Sequence, residues 1–247
     1  MKKYVMALFL WLLPMTAMAQ EEARNVTSMS PDLQDSASLQ NGLKLYVNYC
    51  LGCHTLSYQR FSRTADDLGI PEALMKDSVM FSSSLSFNDA MHNALSDDDA
   101  AQWWGAAPPD LSLTTRLRGV DWVYSFLLGF YRDPARPTGV NNTVYESVAM
   151  PNVLEPLQGV QELDCRQARP LALGGGGRCQ QLSVTAPGEL SPDAFEKAVY
   201  DITNFLAYVG EPSRLKAQNI GPKVLFFIFV FSVFAYLLKR EYWKDVR

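Results

Sequence analysis

The sequence predicts a mainly α-helical domain with long loops and inserts, joined to one C-terminal transmembrane helix. Two segments, one near each end of the chain, carry apolar residues at helical spacing, and a single long apolar run lies close to the C-terminus. About 200 residues lie between an apolar N-terminal stretch and that run, which is enough for one domain with its own core. No internal repeat is visible.

The N-terminal stretch MKKYVMALFLWLLPMTAMA has the layout of a secretory signal peptide. Two lysines precede an apolar core, and small residues follow at Ala17 and Ala19. The alternative is an N-terminal membrane anchor, but the apolar run is short for a span of about 20 residues. We therefore expect residues 1–19 to be a cleaved signal peptide and residues 20–221 to form a periplasmic domain.

The second apolar run, VLFFIFVFSVFAYLL, predicts a transmembrane helix over residues 222–239. Ser232 is its only clearly polar residue, and Lys223 and Lys239 border it. A buried core helix is the alternative, but a run this aromatic without a polar face is unusual in a soluble domain. The basic tail, residues 240–247, predicts a cytoplasmic C-terminus. The expected location is the bacterial inner membrane, crossed once, with the main domain in the periplasm.

The charge of the chain argues against one class of partner. The formal net charge is −4 at pH 7, and the expected periplasmic part is more acidic because the signal peptide and the tail are both basic. An acidic domain gives no indication of nucleic-acid binding. It is suited instead to a basic soluble partner, whose encounter the opposite charge would speed.

The segment NYCLGCHTL contains the motif on which the functional prediction depends. Two residues separate Cys50 from Cys53, and His54 follows directly. In an exported protein this order is typical of covalent haem attachment. The thiols add to the haem vinyl groups as thioethers, and the imidazole ligates the iron. We predict one covalently attached haem c, with Cys50 and Cys53 as tethers and His54 as an axial ligand.

Three other chemistries use closely spaced cysteines. A thioredoxin-type site is usually embedded in a βαβ pattern, and none is evident here. A zinc site requires two further ligands at suitable spacing. A disulfide between the two cysteines gives His54 no role. Haem attachment is the prediction that uses all three side chains.

Two helices are predicted beside the motif. The segment SLQNGLKLYVNYC leads into it, and Gly42 would allow another helix to approach closely. The predicted partner helix lies in SPDAFEKAVYDITNFLAYVGEP, with Ser191 as N-cap, Pro192 at the first position, and Gly210 and Pro212 at its end. Two such helices crossing beside the haem are how c-type cytochromes fold, so we predict a class-I-like c-type cytochrome domain. The predicted apolar faces are Leu39, Leu43, Tyr46 and Val47 in the first helix, and Phe195, Val199, Ile202, Phe205, Leu206 and Val209 in the second.

The second axial ligand of the iron is either a histidine or a methionine. His92 is the only histidine besides His54, and a thioether ligand would raise the haem potential. Met150 lies in SVAMPNVL, where the following proline restricts the backbone. Spacing favours Met150 but leaves His92 open. The other methionines beyond the signal peptide are Met29, Met75, Met80 and Met91.

Taken together, these segments resemble the cytochrome c1 family, the haem subunits of cytochrome bc1 complexes. YCLGCHTLSYQRF resembles the family's haem motif and the Ser/Thr-Leu-x-Tyr-x-Arg stretch that follows it. GAAPPDLSLTTRLRGVDWVYSFLLGFY resembles its proline-rich haem-edge segment, then an arginine and a helix. VAMPNVL, FLAYVGEP and YLLKREYWKDV resemble its axial-methionine loop, last periplasmic helix and membrane tail. The similarity runs through most of the mature chain.

The resemblance implies further haem contacts. It makes Met150 the sixth ligand, places Pro108 and Pro109 on the haem edge, and gives Arg116 a propionate to bind. The alternative for Arg116 is an ordinary surface arginine. Trp122 stands where the family often has a tyrosine near the propionates, and an indole can donate but not accept a hydrogen bond. The methionine loop departs from the family, which often has Ala-Pro-Pro after the methionine.

The resemblance also implies the function and the partners. The protein would accept an electron from the Rieske iron–sulfur protein and pass it to a soluble or membrane-bound cytochrome c. Its anchor would pack on cytochrome b in a dimeric complex, and quinol–cytochrome c oxidoreduction would belong to that complex rather than to this subunit. One alternative is a membrane-tethered c-type shuttle or oxidase subunit. The other is a haem enzyme or gas sensor with an open axial site.

Cys165 and Cys179 are predicted to pair in a disulfide, because spare cysteines usually do so in an oxidising compartment. Closing a loop of this size stabilises by roughly 3 kcal/mol in the chain-entropy model. The bridge would hold the insert after the methionine loop. Two free thiols are the alternative.

The run Asp97, Asp98 and Asp99 admits two interpretations. Ser96 is expected to cap a helix whose N-terminal end favours the aspartates. Alternatively, the three carboxylates form a docking patch for a basic soluble cytochrome. The capping interpretation is the more economical of the two.

Overall fold

The structure, a computed structural model, describes residues 26–82, 84–164 and 181–244. The predicted signal peptide and the predicted disulfide between Cys165 and Cys179 lie outside these residues. Within them the chain is mainly helical, as predicted. The helices are α1 (Ser36–Tyr49), α2 (Phe61–Leu68), α3 (Glu72–Ser78), α4 (Asp97–Trp104), α5 (Thr114–Arg118), α6 (Val120–Leu128), α7 (Glu155–Gln158), α8 (Pro192–Gly210) and α9 (Arg214–Tyr242).

The strands form three short antiparallel pairs. In the described part of the chain these are β1 with β2, β3 with β4, and β5 with β6. None of these pairs is parallel, so no βαβ unit surrounds the cysteine motif. The strand bounds are β1 (Leu56–Arg60), β2 (Ala90–Met91), β3 (Phe130–Arg132), β4 (Val140–Asn142), β5 (Gly159–Leu163) and β6 (Leu182–Pro187).

Helices α1 and α8 cross at the centre of the domain. Ser191 caps α8 by accepting a hydrogen bond from the Ala194 amide, and Pro192 occupies the first position, as predicted. Gly42 lies at the contact: a Cβ added there would stand 2.0 Å from the Asp201 carbonyl oxygen and 2.7 Å from Cβ of Phe205. The close approach predicted at this glycine is therefore confirmed. All ten residues of the two predicted apolar faces are buried in the core.

A polar cluster around the buried Asp201 accompanies this crossing. The Asp201 carboxylate accepts hydrogen bonds from Ser38 Oγ at 2.6 Å and Asn41 Nδ2 at 2.8 Å, and it forms an ion pair with Lys197. Because Ser38 and Asn41 lie on α1 and Asp201 lies on α8, these two hydrogen bonds fix the register of the helices where the glycine lets them touch.

Helix α9 contains the predicted membrane-length apolar segment. Residues 220–242 form a strongly apolar stretch of 23 residues, none of which is buried in the domain. Helix α9 as a whole begins at Arg214, eight residues before the predicted span of residues 222–239, and it continues through Pro222. A helix of this length and composition can cross a bilayer, with the flanking lysine stems reaching toward the interface.

Candidate haem site

The Cys-x-x-Cys-His motif forms a tight turn at the end of α1. The Cys50 amide donates to the Tyr46 carbonyl at 2.8 Å and so ends the helix. The amides of Cys53 and His54 then donate to the Cys50 carbonyl at 3.0 and 2.8 Å. Cys50 is buried and Cys53 is half-buried. The turn therefore holds the two sulfurs and the imidazole within one short, hydrogen-bonded segment.

The His54 ring is held in the orientation that a metal-ligating histidine needs. Its Nδ1 lies 2.8 Å from the Pro109 carbonyl oxygen. Since a carbonyl oxygen can only accept, Nδ1 carries the proton, and Nε2 keeps its lone pair for a ligand. Burial lowers the pKa of His54, although the Pro109 hydrogen bond and nearby Asp110 oppose that shift. The neutral, oriented imidazole fits the predicted role as an axial ligand of haem iron.

Tyr46 holds the main chain of His54 by a hydrogen bond. Its hydroxyl donates to the His54 carbonyl oxygen at 2.7 Å, in a fully buried position. Burial, reinforced by Cys50 and Asp110, raises the pKa of Tyr46, so the hydroxyl stays protonated and remains a donor. The sequence placed Tyr46 on the buried face of α1, but this second task was not predicted.

The two thiols do not have the electrostatics of a redox pair. Burial, together with the neighbouring Cys53, raises the pKa of Cys50 to about 12, and burial also raises the pKa of Cys53. Disulfide oxidoreductases instead lower the pKa of their attacking thiol. Within the described ranges, no cluster of three or more His, Cys, Asp or Glu side chains could hold a metal ion, so a zinc site has no set of ligands there.

The segment that carries Pro109 is tied to the residues after His54. Asp110 Oδ2 accepts hydrogen bonds from Thr55 Oγ1 and the Ser57 amide, both at 2.7 Å, and its Oδ1 accepts from the Ser112 amide at 2.8 Å. Burial alone would raise the pKa of Asp110, but these hydrogen bonds outweigh it and lower the pKa to about 2. Asp110 was not among the predicted site residues.

Arg116 and Trp122 lie on the two helices that follow. Arg116 is in the last turn of α5, is exposed, and forms no ion pair with any residue that the structure describes. Trp122, on α6, is half-buried and stacks on Phe126 at 5.0 Å between ring centroids. The Arg118 guanidinium lies 5.3 Å from the Trp122 ring centroid. An exposed guanidinium with no described carboxylate partner is available for an anionic group such as a propionate.

Met150 lies in the irregular loop between β4 and α7. It is half-buried and packs, with Phe126, against the cluster formed by Phe130, Val140 and Val148. Phe126 also stacks on Trp122, so one run of side chains connects the predicted methionine ligand to the predicted propionate contact.

The alternative ligands lie in different surroundings. His92 is exposed just after β2. The other four methionines are all buried in the main hydrophobic core: Met29, Met75, Met80 and Met91. Because buried methionines usually fill cores, Met150 is the methionine whose position fits a ligand best.

The structure thus brings the motif and Pro109 into direct contact and connects Met150 to Trp122 through Phe126. Trp122 and Phe126 also pack against the main hydrophobic core, which contains Cys50 and Tyr46. The predicted cap at the acidic run is confirmed, since Ser96 Oγ accepts a hydrogen bond from the Asp99 amide at 3.1 Å and α4 starts at Asp97.

The sequence did not predict two residues that support the site, Tyr46 and Asp110. Their chemistry depends on partners distant in sequence, although an aspartate after two prolines is a turn signal.

Comparisons with known proteins agree with the motif. A family model described as the Cytochrome C1 family matches residues 28–168 and 189–246. The chain is 44% identical over 246 residues to a cytochrome c1 of Allochromatium vinosum, with 100% of both proteins covered. It is 35% identical over 235 residues to the ammonia monooxygenase gamma subunit of Nitrosomonas europaea, covering 95% of this chain and 94% of that protein. It is 27% identical to the cytochrome b/c1 of Bradyrhizobium diazoefficiens, covering 85% of this chain and 34% of that protein.

Proposed function

The chain belongs to the cytochrome c1 family, and we propose that it accepts one electron from the Rieske iron–sulfur protein and passes it to a soluble or membrane-bound cytochrome c. Proteins of this family carry one covalently bound haem c, which makes the chain the haem c subunit of a cytochrome bc1 complex. The match to a cytochrome b/c1 supports cytochrome b as its partner there. The observation that carries the proposal is the His54 ring, fixed by Pro109 beside two cysteines.

Each of the proposed site residues has a distinct task. Cys50 and Cys53 would tether the haem, and His54 and Met150 would ligate its iron. Once bound, haem would supply one-electron chemistry. The remaining contacts would come from Arg116 and Trp122 at the propionates, and from Pro108 and Pro109 at the haem edge.

The protein's own side chains prepare this site before any electron moves. Pro109 keeps the Nδ1 proton on His54, and Tyr46 fixes the main chain at the same residue. The apolar packing against Met150 limits the movement of its side chain. A site held in this way changes little between its two charge states.

The membrane arrangement is proposed from charge and length. Helix α9 would anchor the protein once in the bacterial inner membrane and pack on cytochrome b. The domain of residues 20–221 would face the periplasm, and the tail of residues 240–247 the cytoplasm. The complex is proposed to be dimeric. Residues 1–19 would be removed, and Cys165 and Cys179 would form a disulfide in the periplasm.

The proposed ligands can be tested on the detergent-solubilised full chain. The haem should stay with the polypeptide after denaturation and acid extraction. The oxidised protein should show a weak far-red band from sulfur–iron ligation, which Met150→Leu should abolish. Met91→Leu is the matched control, because Met91 is fully buried in the core and should leave the band intact. Release of the haem on extraction, or a far-red band that survives Met150→Leu, would contradict the assignment.

The two alternative functions predict different results. A haem enzyme or sensor with an open axial site would bind carbon monoxide rapidly in the reduced state, whereas a bound methionine blocks that reaction. A tethered shuttle or oxidase subunit would have the same spectrum but would not copurify with a b-type cytochrome and a Rieske protein. Copurification with both is the outcome that we expect.

A docking role for the acidic run remains a separate hypothesis. The three residues of this run, Asp97, Asp98 and Asp99, form the first turn of α4. All three are exposed, so a basic partner could also reach them. Replacing all three by asparagine keeps the Ser96 cap and removes three negative charges. If the run binds cytochrome c, the salt dependence of electron transfer should become shallower. A steep salt dependence that survives the substitution would eliminate the docking role.

A further inference from the structure

The carbonyl group that holds the His54 ring lies on a segment with little support of its own. Pro109 belongs to residues 105–113, which join α4 to α5 without regular secondary structure. Pro108 and Pro109 have no amide proton, so this part of the segment cannot be fixed by its own backbone donors. The position of the Pro109 oxygen must therefore be set by groups on either side of it.

Asp110 supplies that support from the next residue. Its carboxylate joins Thr55 and Ser57, which directly follow His54, to Ser112 on its own segment. The Leu111 amide adds a bond to the Thr55 carbonyl at 2.9 Å. Thr55, which follows His54, is thus hydrogen-bonded to Asp110, which follows Pro109, although the two residues are 55 positions apart in the chain.

We infer that Asp110 is a positioning residue, whose carboxylate keeps the Pro109 carbonyl aligned with Nδ1 of His54 and so sets the electron-donating strength of this axial ligand. An ionised carboxylate suits the task because it only accepts, and all three of its partners donate. An asparagine would turn an amide donor toward one of these donors. The inference rests on the proposed ligation of iron by His54.

The consequence is a defined direction of change in the reduction potential. A strong hydrogen bond from Nδ1 increases the basicity of the imidazole, which favours the oxidised iron. Loosening the Pro109 carbonyl should weaken that bond and raise the potential. Loss of the Asp110 charge would also raise the potential through space, so Asp110→Asn alone does not distinguish the two effects.

The Thr55→Val variant distinguishes the effect of the hydrogen bonds from the effect of the Asp110 charge. It removes one of the three carboxylate hydrogen bonds but leaves the charge of Asp110 in place. The measurements are the haem potential and the exchange rate of the His54 Nδ1 proton, followed by NMR on the haem-loaded full chain. We expect both variants to raise the potential, Asp110→Asn more than Thr55→Val. Proton exchange should be roughly five to ten times faster in Asp110→Asn, as expected for a weakened hydrogen bond.

Asp89→Asn is the matched control. Asp89 is another loop carboxylate that accepts a hydrogen bond from a main-chain amide, that of Ser86, at 2.7 Å. Its substitution should leave the haem potential and the His54 proton exchange unchanged. A potential that rises in Asp110→Asn but not in Thr55→Val would show a charge effect alone and overturn the positioning role, as would unaltered proton exchange in both variants. A wild-type chain without covalent haem would instead overturn the proposed function.

Discussion

Substituting alanine for Gly42 tests the helix crossing that supports the whole domain. The new Cβ would stand 2.0 Å from the Asp201 carbonyl oxygen, which is a backbone atom and cannot move out of the way by rotating a side chain. Overpacking of this kind costs about 3 kcal/mol at the upper end of its usual range. Alanine gains about 1 kcal/mol over glycine in a helix. The expected net loss of stability is therefore about 2 kcal/mol.

Guanidinium unfolding of the full chain in detergent, followed by circular dichroism, measures this loss. With a slope typical of this denaturant, the midpoint should fall by about 0.5 M. Gly221→Ala is the matched control, because Gly221 is also helical and an added Cβ would have no neighbour within 4 Å. That variant should be as stable as the parent or slightly more so. An unchanged midpoint in Gly42→Ala would refute the close approach of α1 and α8.

Three smaller perturbations probe the supports of the site. Tyr46→Phe leaves the buried His54 carbonyl without its donor and should cost about 1–2 kcal/mol in the same unfolding assay, whereas Tyr58→Phe, at a position 75% exposed, should cost nothing measurable. Asp110 has a folded pKa of about 2, below its ordinary 3.8, so its stabilisation is present above about pH 4 and disappears as the pH falls through 2. Asp110→Asn should therefore be less stable than the parent by about 1 kcal/mol at neutral pH, a value reduced for solvent screening of a largely exposed group, and this difference in stability should shrink as the pH falls from about 4 through 2; a difference that stays constant with pH would contradict the pKa shift. Ser96→Ala should destabilise α4 by about 1 kcal/mol, seen as faster amide exchange in its first turn and not elsewhere.

The two central helices could be predicted because their information is local. Ser191 and Pro192 mark the start of α8 within two residues, and the apolar residues of both helices repeat at the helical period. Even the contact point was visible, because a glycine in the middle of an amphipathic helix has no local advantage. Its presence at position 42 indicated a close neighbour before the neighbour was known.

The surroundings of His54 could be predicted only in part. The motif predicts the proposed tethers and the proposed ligand, since haem attachment requires those residue types at that spacing. The brace by Asp110 depends on the pairing of residues 55–57 with residues 110–112, and no periodicity within either segment encodes that pairing. Strands β3 and β4 escaped prediction for a related reason: at three residues each, they are too short for an alternating pattern to be recognised.

His54 is supported from two sides by elements that do not share a backbone. Tyr46 reaches its carbonyl from α1, whose position is set by the crossing with α8 at Gly42. Pro109 reaches its ring from the segment that Asp110 ties down. Because one support acts on the main chain and the other on the imidazole, changes at the helix crossing should act mainly on the stability of the turn, and changes at Asp110 mainly on the ligand's electronic character. With His54 as the proposed iron ligand, this arrangement would let changes at Asp110 adjust the haem potential while Tyr46 keeps its hydrogen bond to the turn.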